Sequence, residues 1–544
     1  MLLNKILHKN YILAQEFYQL KLPLDIESII PNNDSVRLLS QFIEEMDISK
    51  LESTYFRIRK NSATPRQMLK IMLYAYMNRI YSARDIEKVC RRDINFMFLL
   101  EGMPTPDHAT IARFRTLHFA PFAKDTFVQM IEILHDLGEI SGKNIFIDGT
   151  KIESCANKYT FVWKKAVTKN LAKLLEKLAQ FVADCEANYG IRVIYKNQVA
   201  LRHVKKLRKK LYKIKKDEQI TFVYGTGKRK SPLQKSIETL EAYLNKLKEY
   251  TQKLYKCGSR NSYSKTDEDA TFMRMKEDAM LNGQLKPAYN LQHGVDAQYI
   301  TWLTIGPQPT DTTTLIPFLK DMETHLSFKY EKIVADSGYE SEENYLFIEE
   351  NEQISFIKPS NYEISKTRKY KTDIGKRENM VYDEDSDVYL CKAGRKLTVT
   401  GLKKSTSKTG YISEKTQYTC EDCSNCEFKT KCIKGNNSKT PIEERTKRLE
   451  VSKVFQKKRA ENLKRILTDE GCKLRMNRSI QAEGSFANIK ADMSFRRYLC
   501  KGKNNVFAES VLLAMAHNLN KLDSKIQNET TGTHLFELKK RPKF

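Results

Sequence analysis

Two short apolar runs end on an aspartate, and they constrain the chain more than any other feature. Ile145-Phe146-Ile147 runs into Asp148-Gly149 within KNIFIDGTKIES, and Ile333-Val334-Ala335 runs into Asp336 within ADSGYESEENY. Apolar, β-branched runs of this length, bounded by turn signals, read as strands. Strand character also dominates PAYNLQHGVDAQYITWLTIG, residues 287 to 306, by its alternation. Long helical and polar stretches separate these segments, so an α/β chain with a sheet built from distant pieces is expected.

At 544 residues the chain exceeds one ordinary core, and about two to four domains are expected. Residues 1–135 read as an all-α N-terminal, DNA-binding domain. Thr64-Pro65-Arg66-Gln67 carries a capping Thr, a Pro at the first helical position and Gln at the third. Ser82 with Asp85 and Thr105-Pro106 read as two further helix starts. Arg84, Arg91, Arg92, Arg113 and Arg115 permit DNA contact there, although a purely structural bundle has the same helix signals.

Residues 164–283 read as a basic helical hairpin. Leu171, Leu174, Leu178 and Phe181 form one seam, and Leu233, Ile237, Leu240, Leu244 and Leu247 a second. The basic run Lys205-Lys206-Leu207-Arg208-Lys209-Lys210 joins them, and as a cluster it can track a phosphate backbone. Most such lysines merely keep a helix face solvated. Residues 361–469 are polar and read as a Cys-containing insertion, and 526–544 as a basic, frayed tail.

The formal charge of +27, from 94 Lys and Arg against 67 Asp and Glu, favours a polyanionic partner, and nucleic acid is the commonest one. The N-terminal MLLNKILHKNYILAQEF scatters Lys5, His8, Lys9 and Glu16 among its apolar residues and lacks a signal-peptide core. No apolar run approaches the roughly 18 residues of a membrane span. A soluble, cytoplasmic protein with no membrane partner, nucleoid-associated when bound, is expected.

Eleven cysteines in a reducing compartment are expected to be thiols or metal ligands. Cys420, Cys423, Cys426 and Cys432 are spaced C-x2-C-x2-C-x5-C, with Cys391 upstream. Four thiolates at this density fit a tetrahedral, structural Zn2+ site. An iron–sulfur cluster is an alternative, although the C-x3-C-P tail is absent. Unligated thiols in an irregular loop are the third reading.

Asp148 and Asp336 end strands, and Glu483 lies in RSIQAEGSFANIK, which predicts a helix. On that helix Glu483 and Lys490 are seven residues apart and share a face. Magnesium prefers hard oxygen ligands and accepts a few carboxylates beside water and phosphate. Two such ions, roughly 4 Å apart, serve an in-line phosphoryl displacement. Taken singly, a strand-terminal Asp is usually a turn residue and a helical Glu is usually solvated. Periodicity alone does not bring three distant acids together.

IFIDGTKIES, LKPAYNLQHGVD, IVADSGYESEENY and RSIQAEGSFANIKADMSFRRYLCKGKNNV resemble, in order, the catalytic-domain motifs of bacterial insertion-sequence DDE transposases. TPRQMLKIMLYAYMNRIYSARDIEKVCRRDINFMFLLEGMPTPDHATIARFR resembles the helical domain that precedes their catalytic core. The resemblance implies an RNase H-like mixed-sheet core, interrupted by insertions, over 140–163, 284–360 and 470–525. It implies Asp148, Asp336 and Glu483 as catalytic ligands of two Mg2+ or Mn2+ ions, and Lys490 as a contact to the transposon end. Arg478, Arg496 and Arg497 are the further DNA contacts expected around it. Related transposases often carry a Tyr and an Arg at fixed spacing before the glutamate. Here Arg478 is one position off, and Met476 takes the Tyr position.

The implied activity is metal-dependent strand cleavage at terminal inverted repeats and transfer into target DNA, by a homodimer holding two ends. A catalytically silent DNA-binding derivative and an RNase H-like nuclease without strand transfer are the alternatives. Trp163 and Trp302 are candidates for stacking on a flipped base, against the simpler reading of core residues.

Overall fold

A computed structural model describes residues 26–57, 61–275, 283–435 and 440–538. The N-terminal segment read for a targeting signal and the last residues of the basic tail lie outside them. Helices of eight or more residues are numbered here.

The N-terminal part is helical: α1 (Ser35–Glu44), α2 (Pro65–Met77), α3 (Ala83–Cys90) and α4 (Ala123–Asp136). Helix α2 starts on a full capping box. The Gln67 amide donates to Thr64 Oγ1 at 3.2 Å, and the Thr64 amide to Gln67 Oε1 at 2.9 Å. The start expected at Thr105-Pro106 falls two residues later, because Asp107 accepts the Thr110 amide at 2.7 Å and caps a helix from His108.

The central sheet is mixed. Its strands are β1 (Asn144–Glu153), β4 (Thr271–Arg274), β5 (Leu285–Asp296), β6 (Tyr299–Gly306), β7 (Lys332–Ala335) and β8 (Ile354–Ile357). They run in the order β4-β5-β1-β7-β8, with β6 also on β5. Strand β1 is antiparallel to β5 and parallel to β7, which is parallel to β8. This is the β-sheet of an RNase H-like core. Strand β4 extends the edge from within the stretch expected to be wholly helical.

Between β1 and β4, β2 (Phe161–Trp163) pairs β3 (Ser262–Ser264), framing α5 (Lys164–Tyr189), α6 (Leu201–Asp217) and α7 (Pro232–Cys257). Both expected leucine seams pack between α5 and α7, with Leu171 and Phe181 only partly buried. The basic run is a helix of its own, α6, because Val204, Leu207 and Leu211 give it an apolar stripe that packs on α7.

Helix α8 (Leu315–His325) lies between β6 and β7, and α9 (Glu342–Glu350) between β7 and β8. Strands β9 (Val381–Asp383), β10 (Val388–Leu390), β11 (Lys396–Thr406), β12 (Ile412–Cys420) and β13 (Arg448–Val451) form a separate antiparallel sheet. Its core is thin: Met380, Tyr389, Leu397, Tyr418, Cys420 and Val451. Helix α10 (Lys453–Leu467) returns to the central sheet, where Asn462 takes the Ile357 amide at 3.0 Å. Helices α11 (Asp469–Arg478) and α12 (Lys503–Gln527) complete the chain.

One apolar core runs from Ile30 to Leu522 and joins the N-terminal helices to the central sheet, with α12 packed on α2, α4 and β6. The tail is pinned as far as it is described. Phe536 donates its amide to Asn477 Oδ1 at 2.8 Å, and Gly532 to Glu139 Oε1 at 2.8 Å, so buried polar groups hold a segment expected to fray. No helix among the described residues is long and apolar enough to cross a membrane.

Candidate active site

The parallel register pairs Ile147 of β1 with Ala335 of β7. The next residue on each strand is an aspartate, so Asp148 and Asp336 stand at the same level on strands roughly 4.8 Å apart. Strand β1 continues past this point, and Thr150, two residues on, shares the face of Asp148.

A helical segment laid across β1 and β5 supplies the third acid. Helix α11 is capped by Thr468, whose hydroxyl accepts the Gly471 amide at 3.0 Å. It continues into a π turn at Ser479–Glu483, a short α turn at Gly484–Ala487, and a second π turn at Asn488–Asp492. Gln481 accepts the Gln298 amide at 3.0 Å, and Ser485 Oγ lies 3.2 Å from His293 Nδ1. With those residues held by the sheet, Glu483 and Lys490 turn to the open side, while Phe486 stays buried and stacks on His293.

Asp148, Asp336 and Glu483 line one open cleft of about 590 Å³, with Thr150, Lys490 and Arg496. Lys490 Nζ donates to Thr150 Oγ1 at 2.8 Å, which lays the ammonium along the cleft floor. Arg478 ties two of the acids together. Its Nη2 is 2.7 Å from Glu483 Oε1, and its Nη1 is 3.9 Å from Asp148 Oδ2. That Nη1 is buried without a hydrogen-bond partner.

Among the described residues no three His, Cys, Asp or Glu side chains stand close enough to form a ready-made metal site. The donor set nevertheless suits a hard divalent cation. Three carboxylates open on one cleft, and the guanidinium between two of them provides positive charge where a cation would sit.

A family model described as Transposase DDE domain matches residues 390–523, and one described as Transposase domain (DUF772) matches residues 24–117. Both matched models are transposase domains, which supports reading the chain as an insertion-sequence DDE transposase. The first match spans Glu483 and Lys490, whereas Asp148 and Asp336 lie outside both. No curated protein and no solved structure matches the chain.

The other expected contacts are scattered over the fold. Arg496 lines the cleft. Arg497 instead donates to the carbonyls of Ser154 and Ala156, at 3.1 and 3.2 Å, and so braces the end of β1. Lys205, Lys206, Arg208 and Lys209 are exposed on α6, while Lys210 is half-buried and donates to the Arg192 carbonyl at 3.0 Å. Arg115 is buried against the Tyr76 hydroxyl at 3.1 Å and is out of reach of DNA. Trp302 is core, packed near Phe127, and Trp163 lies beside Phe161 and Phe272. Cys420, Cys423, Cys426 and Cys432 line one void of about 20 Å³, and Cys391 lines it as well.

The sequence reading did not anticipate Thr150, Asn290, Gln292, Asp311 or Tyr339 around Asp148. A partial signal existed for two of them: Asn290 and Gln292 are polar residues at alternate positions of an expected strand, hence on one face together.

Proposed function

We propose that this transposase cuts DNA at the ends of its own element and joins the freed 3′-hydroxyls to target DNA. Asp148, Asp336 and Glu483 would hold two divalent ions, Mg2+ or Mn2+. The observation that carries this reading is the convergence of these three acids, from two strand ends and one helix, on a cleft that also holds Lys490 and Arg496.

Bound divalent ions would supply Lewis-acid activation of the attacking oxygen and charge neutralisation at the leaving one. The chain's own residues do the rest. Lys490, anchored on Thr150, is placed to grip a phosphate beside the scissile one. Arg496 adds a second cation on the cleft wall. Arg478 balances Glu483 and Asp148 while the cleft is empty of metal and orients both carboxylates. In strand transfer the 3′-oxygen bonds to the target phosphorus as the P–O3′ bond of the target breaks; the attacking hydroxyl gives its proton to solvent, and the released 3′-oxygen takes one up.

The basic helix α6 and the N-terminal helices would add DNA affinity and base readout, and two copies would hold the two ends. The test is incubation of the full chain with Mg2+ and DNA carrying the repeats that flank its gene. A joined product supports the proposal. Nicks without joining would indicate a nuclease, and salt-dependent binding without any product a silent DNA-binding derivative.

We also propose a structural Zn2+ at the cysteine void, where Cys420, Cys423, Cys426 and Cys432, which do not form a ready-made metal site, would have to draw together as ligands, with Cys391 lining the same void. The support is their shared void beside a sheet with a thin core, the situation in which a small unit gains most from a metal staple. Zinc below about a tenth of an equivalent in the purified chain would remove this site.

A further inference from the structure

We propose that Asp311 is a positioning residue of the same centre, which fixes Asp148 relative to Asp336 and adds negative charge behind them. This rests on the reading of those two acids as metal ligands.

Asp311 lies in the loop between β6 and α8, far in sequence from either aspartate, yet the fold brings it directly behind β1. Its Oδ1 accepts the side-chain amides of Asn290 at 2.7 Å and Gln292 at 2.9 Å. Both amides are on β5 and are buried. In the β1–β5 register Gln292 stands opposite Gly149, the residue after Asp148. A Cβ at Gly149 would collide with the Gln292 amide and come within 2.8 Å of Asp311 Oδ1. The glycine after Asp148 is therefore required for this close approach.

The other end of Gln292 reaches the Asp336 side. Its Oε1 accepts the hydroxyl of Tyr339, and also that of Thr314 at 3.1 Å. Tyr339 belongs to the short turn Ser337–Tyr339 that directly follows Asp336. The Asp311 loop clasps the same turn. Thr312 Oγ1 donates to the Gly338 carbonyl at 2.9 Å, and Asn344 bridges the Thr312 carbonyl at 3.0 Å and the Tyr339 carbonyl at 2.6 Å.

One buried amide thus spans the two aspartate-bearing segments, and its orientation is set from outside. A carboxylate is an acceptor only, so Asp311 compels Gln292 to turn its NH2 inward and to leave Oε1 for the two hydroxyls. The charge acts as well. Burial, and then Asp311, Asp148 and Asp336, push the Tyr339 hydroxyl far above its usual range, while Arg478 opposes them. Asp311, Asp148 and Asp336 thus all bear on one buried hydroxyl.

The experiment is Mn2+ binding to the full chain, read from the loss of the free-ion EPR signal, with the metal-free melting temperature measured in parallel. Asp311→Asn keeps the outline and one acceptor oxygen but loses the charge. It is expected to weaken Mn2+ binding about tenfold, as loss of an outer-shell partner does, with melting within about 2 °C of the parent. Tyr339→Phe, which loosens only the Gln292 end, is expected to weaken binding about threefold. Parent-like Mn2+ affinity in both variants overturns the proposal, and so does a fall in melting temperature with affinity unchanged. Asp148→Asn separates the underlying reading: if it too binds Mn2+ as the parent does, the centre itself is misassigned.

Discussion

Arg478 Nη2 sits 2.7 Å from Glu483 Oε1 although five residues separate them in the chain. In an α-helix of 3.6 residues per turn, residues five apart point well away from each other. Between these two the chain makes a π turn, Ser479–Glu483, whose bonds span five residues. The additional residue is absorbed there, and the guanidinium that stands one position off the usual spacing still meets the glutamate.

That contact places a cation in competition with metal. Removing it by Arg478→Ala is expected to tighten Mn2+ binding about threefold, a modest change because Glu483 is half exposed and the pair is screened. The same variant should bind DNA more weakly. A titration of each ligand checks both directions, and weaker Mn2+ binding would contradict this role.

The exposed lysines of α6 are assigned to phosphate contact. Replacing Lys205, Lys206 and Lys209 with Ala should reduce the slope of log affinity against log salt by about three, and should do so equally for unrelated DNA sequences. An unchanged slope would leave α6 as a solvated face.

Arg459 of α10 holds Glu340, four residues after Asp336, through contacts of 2.7 Å to each carboxylate oxygen. Burial pushes that carboxyl up, but Arg459 and the Ser360 amide outweigh it and hold the group below its ordinary range. A lowered value stabilises the fold above the unfolded carboxylate pKa of about 4.3, and this stability is lost as pH falls through the folded value. Arg459→Ala leaves a buried carboxylate unpaired and should cost about 3 kcal/mol in denaturant unfolding at pH 7. The loss should shrink as pH falls through the lowered folded value, below which Glu340 is protonated in the parent as well as in the variant.

Much of this was legible in the sequence, and the rest was hidden for physical reasons. Asp148 and Asp336 could be read because an apolar run ending on an acid is a local pattern, and parallel pairing then sets the two side by side. Strand β4 was hidden because four residues, Thr271–Arg274, carry too little periodicity to separate from their helical surroundings. The π turn before Glu483 has no signature in residue type, so Arg478 looked misplaced. The strand β5 amides looked like ordinary alternation, since burial on both faces depends on elements hundreds of residues away. Arg115 shows the converse: a basic residue in a basic helical domain is buried against a tyrosine hydroxyl when the fold leaves that group to be paired.

The central claim is that Asp148, Asp336 and Glu483 act as one metal-dependent site. Its most direct measurement is Mg2+-dependent cleavage of end-containing DNA by the parent and by Asp148→Ala, Asp336→Ala and Glu483→Ala, each checked for a parent-like melting curve. Each substitution is expected to lower the cleavage rate by about a thousandfold or more, with DNA binding retained. Full activity in all three variants would contradict the site.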